Sequence, residues 1–236
     1  QLQLGHVLQT WAQPWVLDTV VFTLALAGLS TALTLLLGLP AAWVFARFTF
    51  PGKSVARALT VVPFVLPTVV VGSAFLALLG PRSPLNELLT VLFGADFPQV
   101  RLDGSVGAIL IAHVFYNIAV IIRLVGGMWA NIDPRTEEAA RMLGASPWGA
   151  FREVTWPLLR PAVISAASIV FLFTVTSFGV VLLLGGPRDA TLEVEIYRQT
   201  AILLDLPTAA ALTIMQMAGI IALLLASARA QEGLAV

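Results

Sequence analysis

The chain has 236 residues, of which 58% are hydrophobic and only 11% charged, and its formal net charge is zero. Its mean hydropathy is +0.93. Soluble domains are roughly 45–50% apolar and about 25% charged, so this composition indicates several membrane-spanning segments and excludes an ordinary soluble domain. The balanced charge gives no indication of a nucleic-acid partner, and we expect none. A chain without cysteine has no disulfide or thiolate site.

Five segments are apolar over about 20 residues, the length that a helix needs to cross a bilayer. We predict spans over Thr19–Phe45, Ala58–Leu79, Val106–Trp129, Ala162–Leu184 and Thr208–Ala228. A bilayer offers no hydrogen-bond partners, so such segments satisfy their backbone groups as helices. The predicted fold class is all-α: a polytopic transmembrane helical bundle of about five spans. It forms one transmembrane domain over residues 1–236, with its core over about 18–229.

The distribution of lysine and arginine predicts how these spans are oriented. Nine of the 13 basic residues lie beside the ends of the first, third and fifth spans: Arg47, Lys53, Arg57, Arg123, Arg135, Arg141, Arg152, Arg160 and Arg229. The other four lie on the opposite side: Arg82, Arg101, Arg188 and Arg198. Because cytoplasmic loops carry the excess of positive charge, we predict that the first side is cytoplasmic and that the N-terminus is external.

Two loops face the outside in this orientation. Residues 80–104 contain three prolines and predict irregular chain with one short helix over about Leu85–Phe93. Residues 185–207 contain the sequence TLEVEIYRQTAILLD. Its apolar residues predict an amphipathic helix that lies at the outer surface.

A charged segment, EEAARMLGASPWGAFREVTWP, begins at Glu137 and separates the third and fourth spans on the predicted cytoplasmic side. Asp133-Pro134 is a favourable helix start, and Gly144 can adopt the left-handed conformation that ends a helix. Ser146-Pro147 then begins a second short helix, which we expect Pro157 to break before the fourth span. Two short helices at an angle make a rigid knob on the membrane face; an ordinary amphipathic surface loop is the alternative.

This segment resembles the EAA loop of binding-protein-dependent ABC-importer permeases of type I, which have the methionine/maltose-importer fold. The residues that match the motif are Glu138, Ala139, Ala140, Gly144, Val154 and Pro157. The resemblance implies that they couple the chain, through a loop over about 133–160, to separate cytoplasmic ABC ATPase subunits. It also implies that the chain is not itself an enzyme, binds no cofactor and is a multi-pass protein of the bacterial inner membrane.

Two further stretches narrow the resemblance. AHVFYNIAVIIRL (Ala112–Leu124) and TSFGVVLLLGGPRDATLEVEIYRQT (Thr176–Thr200) are similar to the thiamine and ferric-iron importer permeases, in which two such halves are often fused. The chain resembles the first half without its leading helix, so we expect a piece of a longer permease. The expected solute is thiamine or ferric iron, with a polyamine, sulfate or molybdate as alternatives. Outside this class, the alternatives are a secondary transporter and a structural membrane protein.

The resemblance also implies an extracytoplasmic solute-binding protein, a second permease half or subunit, and surrounding membrane lipid as partners. Acidic residues outnumber basic ones in the outer segment over residues 185–206. We therefore predict that Glu193 and Glu195 are exposed and help to form a polar, transient docking surface for the binding protein. A solvated loop whose helix rests on lipid headgroups is the alternative.

Polar residues within the spans are candidates for the transport pathway. His113 and Asn117 lie four residues apart on one face of the third span, and Ser177 lies in the middle of the fourth. Hydrogen bonding between helices is the alternative role for these residues. With two histidines and no acid inside the spans, we predict neither a metal site nor a catalytic site. Pro63 and Pro67 predict a bend in the second span.

Overall fold

A computed structural model describes residues 4–81, 83–94, 98–99 and 101–232. Arg82, one of the four basic residues predicted to be external, lies outside them. The described residues contain helices and no strand, which confirms the predicted all-α class. The helices are α1 (Leu4–Trp11), α2 (Pro14–Arg47), α3 (Lys53–Val65), α4 (Thr68–Leu79), α5 (Pro84–Phe93), α6 (Val106–Asn131), α7 (Pro134–Met142), α8 (Pro147–Ala150), α9 (Trp156–Val175), α10 (Gly179–Leu184), α11 (Leu192–Tyr197) and α12 (Leu206–Glu232).

Five stretches of the described residues are long and apolar enough to cross a membrane, as predicted: Pro14–Arg47, Thr68–Phe93, Val106–Asn131, Pro147–Val175 and Leu206–Arg229. The short outer helix expected near residue 85 is confirmed as α5, and Ser83 caps it by accepting a hydrogen bond from the Asn86 N–H. The second stretch combines α4, which ends at Leu79, and α5, which begins at Pro84.

The predicted second span, Ala58–Leu79, is two helices. The α3 helix ends at Val65 and α4 begins at Thr68, because Pro67 holds Leu66 in an extended conformation (ψ 141°). The predicted bend is therefore a complete break at Pro67, whereas Pro63 is accommodated inside α3.

Contacts with α6 show how α3 and α4 run through the bundle. Val61 of α3 shares a groove with Ile122 and Gly126, in the second half of α6. Phe75 of α4 packs edge-on against Phe115, in the first half of α6, with ring centroids 5.3 Å apart. We therefore assign the second crossing to α3 and α4 together, with α5 beyond its outer end.

The fourth span begins earlier than predicted, and Pro157 does not break it. A turn of π-helix over Phe151–Thr155 joins α8 to α9 without interruption. In this turn the Trp156 N–H donates to the carbonyl of Phe151, five residues back. The wider turn lies directly before Pro157, which has no N–H to donate and is tolerated in the first turn of α9. The expected break is therefore wrong.

The predicted single helix over Ala162–Leu184 is also wrong at its other end. It is broken over Thr176–Phe178, between α9 and α10. A Cβ added at Gly179 would lie 2.8 Å from Thr68 Oγ1 and 2.8 Å from Val69 N, so only glycine lets α10 approach the start of α4 this closely. The break in the fourth span thus lies beside the break in the second.

The core is built where α2, α6 and α9 pack together. One buried cluster lies towards the C-terminal end of α6 and includes Ile121, Val125, Leu159 and Val170. A second cluster lies towards the other end of α6 and includes Ile109, Val181 and Leu184. Many large apolar side chains point outwards along α2, α4 and α12, as expected for helices that face lipid or another subunit.

The N-terminal helix α1 was not predicted, because its sequence is short and only mildly apolar. It packs on α12, where the Trp11 indole N–H donates to the Ala211 carbonyl (2.8 Å). At the start of α12, the Thr208 hydroxyl donates to Asp205 (2.7 Å) and the Thr208 N–H does so too (3.2 Å). These bonds, the hydroxyl first, hold the pKa of Asp205 below its ordinary value.

The contact between α4 and α10 should be intolerant of any side chain at Gly179. Gly179→Ala should destabilise the protein by about 1–3 kcal/mol, because the added methyl group has no space. Gly28→Ala is the matched control, since nothing lies within 4 Å of a Cβ there. Thermal unfolding in detergent, followed by tryptophan fluorescence, measures both variants. Equal midpoints for the two would contradict the close packing.

Candidate functional site

The first half of the predicted cytoplasmic loop is a short, well-capped helix. Asp133 Oδ1 accepts a hydrogen bond from the Arg135 N–H (2.9 Å), and Pro134 occupies the first turn of α7. The helix ends before Gly144, whose φ of 96° is left-handed. Nothing lies within 4 Å of a Cβ at Gly144, so the backbone conformation, and not space, requires glycine there. Both predicted features of this helix are confirmed.

Four of the motif residues lie together on one exposed knob, formed by residues 133–150. Glu138, Ala139 and Gly144 are exposed and Ala140 is half-buried. The knob also has an open pocket of about 530 Å³, which is lined by Glu138, Arg141, Met142, Ala145 and Pro147. The other two motif residues, Val154 and Pro157, lie away from this surface, in the π-turn and in the first turn of α9.

The tip of the knob carries large apolar side chains that sequence reasoning missed. Met142 is 88% exposed, Leu143 91% and Trp148 69%. Their signal in the sequence was the presence of large apolar residues in a short segment rich in charge. Apolar groups displayed in this way on an otherwise polar surface mark a protein interface.

Sequence reasoning also missed the role of Glu137, which holds the knob to the rest of the bundle. Its Oε2 accepts a hydrogen bond from the buried Thr155 hydroxyl (3.0 Å) and lies 3.6 Å from Arg47 Nη2. Arg47 Nη1 also donates to the Ile132 carbonyl (3.2 Å). Glu137 therefore ties α7 to the end of α2 and to the π-turn at the base of α9.

Aromatic rings hold the second part of the knob to the bundle. Phe151 stacks on Trp148 with ring centroids 5.4 Å apart. On its other sides it contacts Trp129, at the end of α6, at 6.0 Å and Trp156 at 6.4 Å. Such ring pairs add to the stability gained by burying the side chains. The knob is thus fixed to α2, α6 and α9 at once.

The three candidate pathway residues lie together deep in the bundle. The buried His113 ring hydrogen-bonds through Nε2 to Ser177 Oγ (2.9 Å) and through Nδ1 to Ser30 Oγ (3.0 Å). The Asn117 amide donates to the His113 carbonyl (2.9 Å). This network links α2 and α6 to the break between α9 and α10. Ser30 was missed because a serine in an apolar helix gives no signal of its partner.

A cavity of about 230 Å³ lies beside this network, where the two broken spans meet. Its lining residues are Thr68, His113, Tyr116, Asn117, Phe173, Thr176, Ser177, Phe178 and Val180. Both roles expected for the polar residues therefore have a structural counterpart: they bond between helices, and they line a cavity. Their place in a transport pathway stays a prediction.

The expected exposure of Glu195 is wrong, because α11 packs on α2 and α12 and turns this residue inwards. Glu195 is buried and accepts a hydrogen bond from the Gln199 amide (2.7 Å), with Arg198 at 3.6 Å. Glu193 is half-buried and accepts one from the Gln216 amide (2.6 Å). A helix is present as predicted: α11 continues as a π-helical turn over Arg198–Ile202. Its buried face is polar as well as apolar, and Leu203 and Leu204 beyond it are exposed, so the predicted apolar face is wrong in part.

No group of three or more His, Cys, Asp or Glu residues within the described part of the chain could hold a metal ion. The sequence-based expectation that the chain binds no cofactor stays a prediction.

Comparison with known proteins assigns the chain to a family. Residues 18–232 match the family described as the binding-protein-dependent transport system inner membrane component. The chain belongs to this family. It is therefore a permease subunit of the ABC-importer class, a multi-pass inner-membrane protein and not an enzyme. A secondary transporter and a structural membrane protein are set aside.

Individual relatives extend this result. The chain is 35% identical over 184 residues to the molybdenum transport permease ModB of Azotobacter vinelandii, covering 77% of the chain and 79% of that protein. It is 32% identical over 228 residues to the thiamine transport permease ThiP of Escherichia coli, covering 95% of the chain and 42% of that protein. The chain thus spans less than half the length of this thiamine permease.

A solved structure has the same fold. It belongs to a bacterial ABC transporter involved in the import of the acidic polysaccharide alginate, with a TM-score of 0.81 at 16% identity. The similarity covers 98% of this chain and 84% of that one.

Glu137 and its neighbour Glu138 provide a matched test of the contacts that hold α7 to α2 and to the π-turn. Glu137→Ala should loosen α7 by about 0.5–1 kcal/mol, because the ion pair and hydrogen bond that it removes are only partly buried. Glu138→Ala should leave α7 unchanged, since its side chain is exposed. Hydrogen exchange of the α7 peptide in the detergent-solubilised protein measures both. Unchanged protection in Glu137→Ala would contradict the anchor.

Proposed function

We propose that the chain is the membrane part of an ATP-driven importer, to which an extracytoplasmic binding protein delivers the solute. The observation that carries this proposal is the knob: a rigid, capped helix with an apolar tip, fixed at its base to three spans. ATP hydrolysis belongs to separate ABC ATPase subunits on the cytoplasmic side. A second permease half or subunit completes the pathway, within membrane lipid.

The knob is suited to seat in a cleft of the ATPase. Ala139 presents no side chain beyond a methyl group, so a partner backbone can approach closely. Glu138 adds a charged contact, and Met142 and Leu143 supply apolar area that is otherwise exposed to water. Gly144 sets the angle between α7 and α8 through its left-handed turn. Val154 and Pro157 act less directly, by shaping the π-turn that carries the knob's motion into α9.

The anchors of the knob give the motion a route into the membrane. Glu137 connects it to α2, Phe151 to α6, and the π-turn to α9. A packed, hydrogen-bonded base transmits a displacement instead of absorbing it. We infer that the knob and α9 move together, and that the break at residues 176–178 absorbs the change in direction. Opening and closing at this break would alternate access to the pathway.

Thiamine is the solute that we propose, and molybdate is the alternative. The sequence similarity to a thiamine permease extends over nearly the whole chain, whereas the similarity to a molybdenum permease is slightly higher in identity and shorter. Sulfate and polyamines remain further alternatives from the sequence. Ferric iron, which the names of these two relatives do not mention, stays an expectation from the sequence.

The outer segment is the proposed docking surface for the binding protein, with different contact residues from those expected. Glu195 is buried and Glu193 is bonded to Gln216. The exposed groups of this segment include Arg198, whose side chain is 54% exposed, and the apolar Ile202 and Leu203. A mixed surface of this kind suits a transient protein contact.

Gly144→Val and Glu138→Lys test the proposed coupling. The valine should strain the backbone by about 1–3 kcal/mol and change the angle of the knob, since φ is 96° at this position. We expect about a tenfold or greater loss of solute uptake and weaker co-purification of the ATPase, at normal membrane levels.

The control is Gly127→Ala, a change in α6 with nothing within 4 Å of the added methyl group. It should transport normally. Wild-type uptake and ATPase co-purification by both Gly144→Val and Glu138→Lys would contradict the proposed function.

A further inference from the structure

A groove with cationic walls lies where α2, α3 and α6 meet, at the end of the bundle that we predict to be cytoplasmic. It is open and has a volume of about 880 Å³. Phe45 lines it from α2, Lys53 and Arg57 from α3, and Arg123 and Gly127 from α6. None of these residues belongs to the knob or lines the cavity at the two breaks.

Three cationic side chains line this groove without an acid to balance them. Lys53 and Arg57 lie four residues apart on α3, a spacing at which like charges destabilise a helix. No acidic residue is present among the described lining residues, and neither Arg57 nor Arg123 forms an ion pair within the described part of the chain. The Lys53 ammonium donates to the Phe48 carbonyl (2.7 Å) and has two further N–H groups to offer. An anion in the groove would relieve the repulsion between these charges.

The side chains around the groove are those of a membrane–water interface. Trp43, near the end of α2, is 43% exposed and packs edge-on against Phe48, with ring centroids 5.0 Å apart. Tryptophan is enriched at the depth of the lipid headgroups. Val55 and Leu59 of α3 are each 62% exposed, so this helix presents apolar side chains to its surroundings. We therefore place the groove at the level of the headgroups of one leaflet.

The walls of the groove become apolar towards the middle of the membrane. Val61 follows Arg57 by one turn of α3, and Ile122 precedes Arg123 in α6. Gly127 leaves room in the groove, because nothing lies within 4 Å of a Cβ there. A ligand that complements these walls carries a negative group at one end and an apolar body at the other.

We propose that this groove binds an anionic phospholipid of the cytoplasmic leaflet. Its phosphate lies between Arg57 and Arg123, with Lys53 beside it, and its acyl chain runs along Val61 and Ile122. Basic pockets between membrane helices on the cytoplasmic side are suited to such headgroups. A zwitterionic lipid gains less, because it brings its own cation. Since α3 packs mainly on α6, the bound lipid would brace this half of the second crossing against the bundle.

Photo-crosslinking in the assembled transporter tests the site. Benzoylphenylalanine is introduced at Ser54, an exposed residue that lines the groove. The complex is reconstituted in nanodiscs that contain equal amounts of phosphatidylglycerol and phosphatidylcholine with the same acyl chains. Mass spectrometry then identifies the crosslinked lipid. We expect phosphatidylglycerol to exceed phosphatidylcholine at least about tenfold, since each nearby arginine favours an anionic lipid about fivefold.

Two double variants, compared at equal amounts of assembled complex, assign the effect to the groove. Arg57→Gln with Arg123→Gln should lower the lipid ratio about tenfold. Arg160→Gln with Arg229→Gln is the matched control, because it removes two exposed arginines on the same predicted side that do not line the groove. This control should keep the ratio of the unaltered transporter. Added inorganic phosphate should also leave the ratio unchanged.

Four results would each overturn the proposal. They are equal crosslinking of the two lipids in the unaltered transporter, an unchanged ratio in the Arg57→Gln, Arg123→Gln variant, a ratio that inorganic phosphate lowers, and crosslinks to a protein subunit in place of lipid. The third would mean that the groove takes a free anion, and the fourth that it is an interface between subunits.

Discussion

A bilayer forces every backbone group in a span to find a partner inside the protein, and this constraint governs where the present bundle can bend. A helix can break in the membrane only where the freed groups are buried in protein or face a cavity. The second and fourth spans both break, at residues 66–67 and 176–178, and the two breaks lie side by side. Gly179 allows the close approach, and the polar residues His113 and Ser177 join the break to α6. The close packing at Gly179, the hydrogen bonds of His113 and the cavity beside them thus all meet the requirement that the backbone groups freed at a break are buried in protein or face a cavity.

One continuous helical segment connects the break to the knob. Between them runs α9, which is continuous with α8 through the π-turn and carries Pro157 without a break. Glu137 and Phe151 join the knob to α2 and α6. In the proposed mechanism, a displacement of the knob would reach the point where the fourth span has lost its helical hydrogen bonds, which is where bending costs least.

Local signals made part of this arrangement predictable. The start of α7 at Asp133 and its end at Gly144 follow from the conformational preferences of single residues, and the five spans follow from hydropathy. The break before α10 could not be predicted, because it lies in an apolar segment and depends on the contact of Gly179 with a helix about 110 residues away in the sequence. Glu195 was placed on the wrong face for a similar reason: its burial depends on how α11 packs against α2 and α12. The role of Glu137 required knowing that Arg47 and Thr155 lie next to it.

Two distances in the assembled transporter test the central claim that the knob moves with the bundle while the break flexes. Spin labels at Ser146 and Thr49 span the knob and the end of α2, and labels at Ile169 and Leu182 span the break between α9 and α10; these four positions are exposed. Double electron–electron resonance with and without ATP measures both pairs. The Ser146–Thr49 distance should stay constant while the Ile169–Leu182 distance changes. A change confined to the Ser146–Thr49 pair would contradict the account.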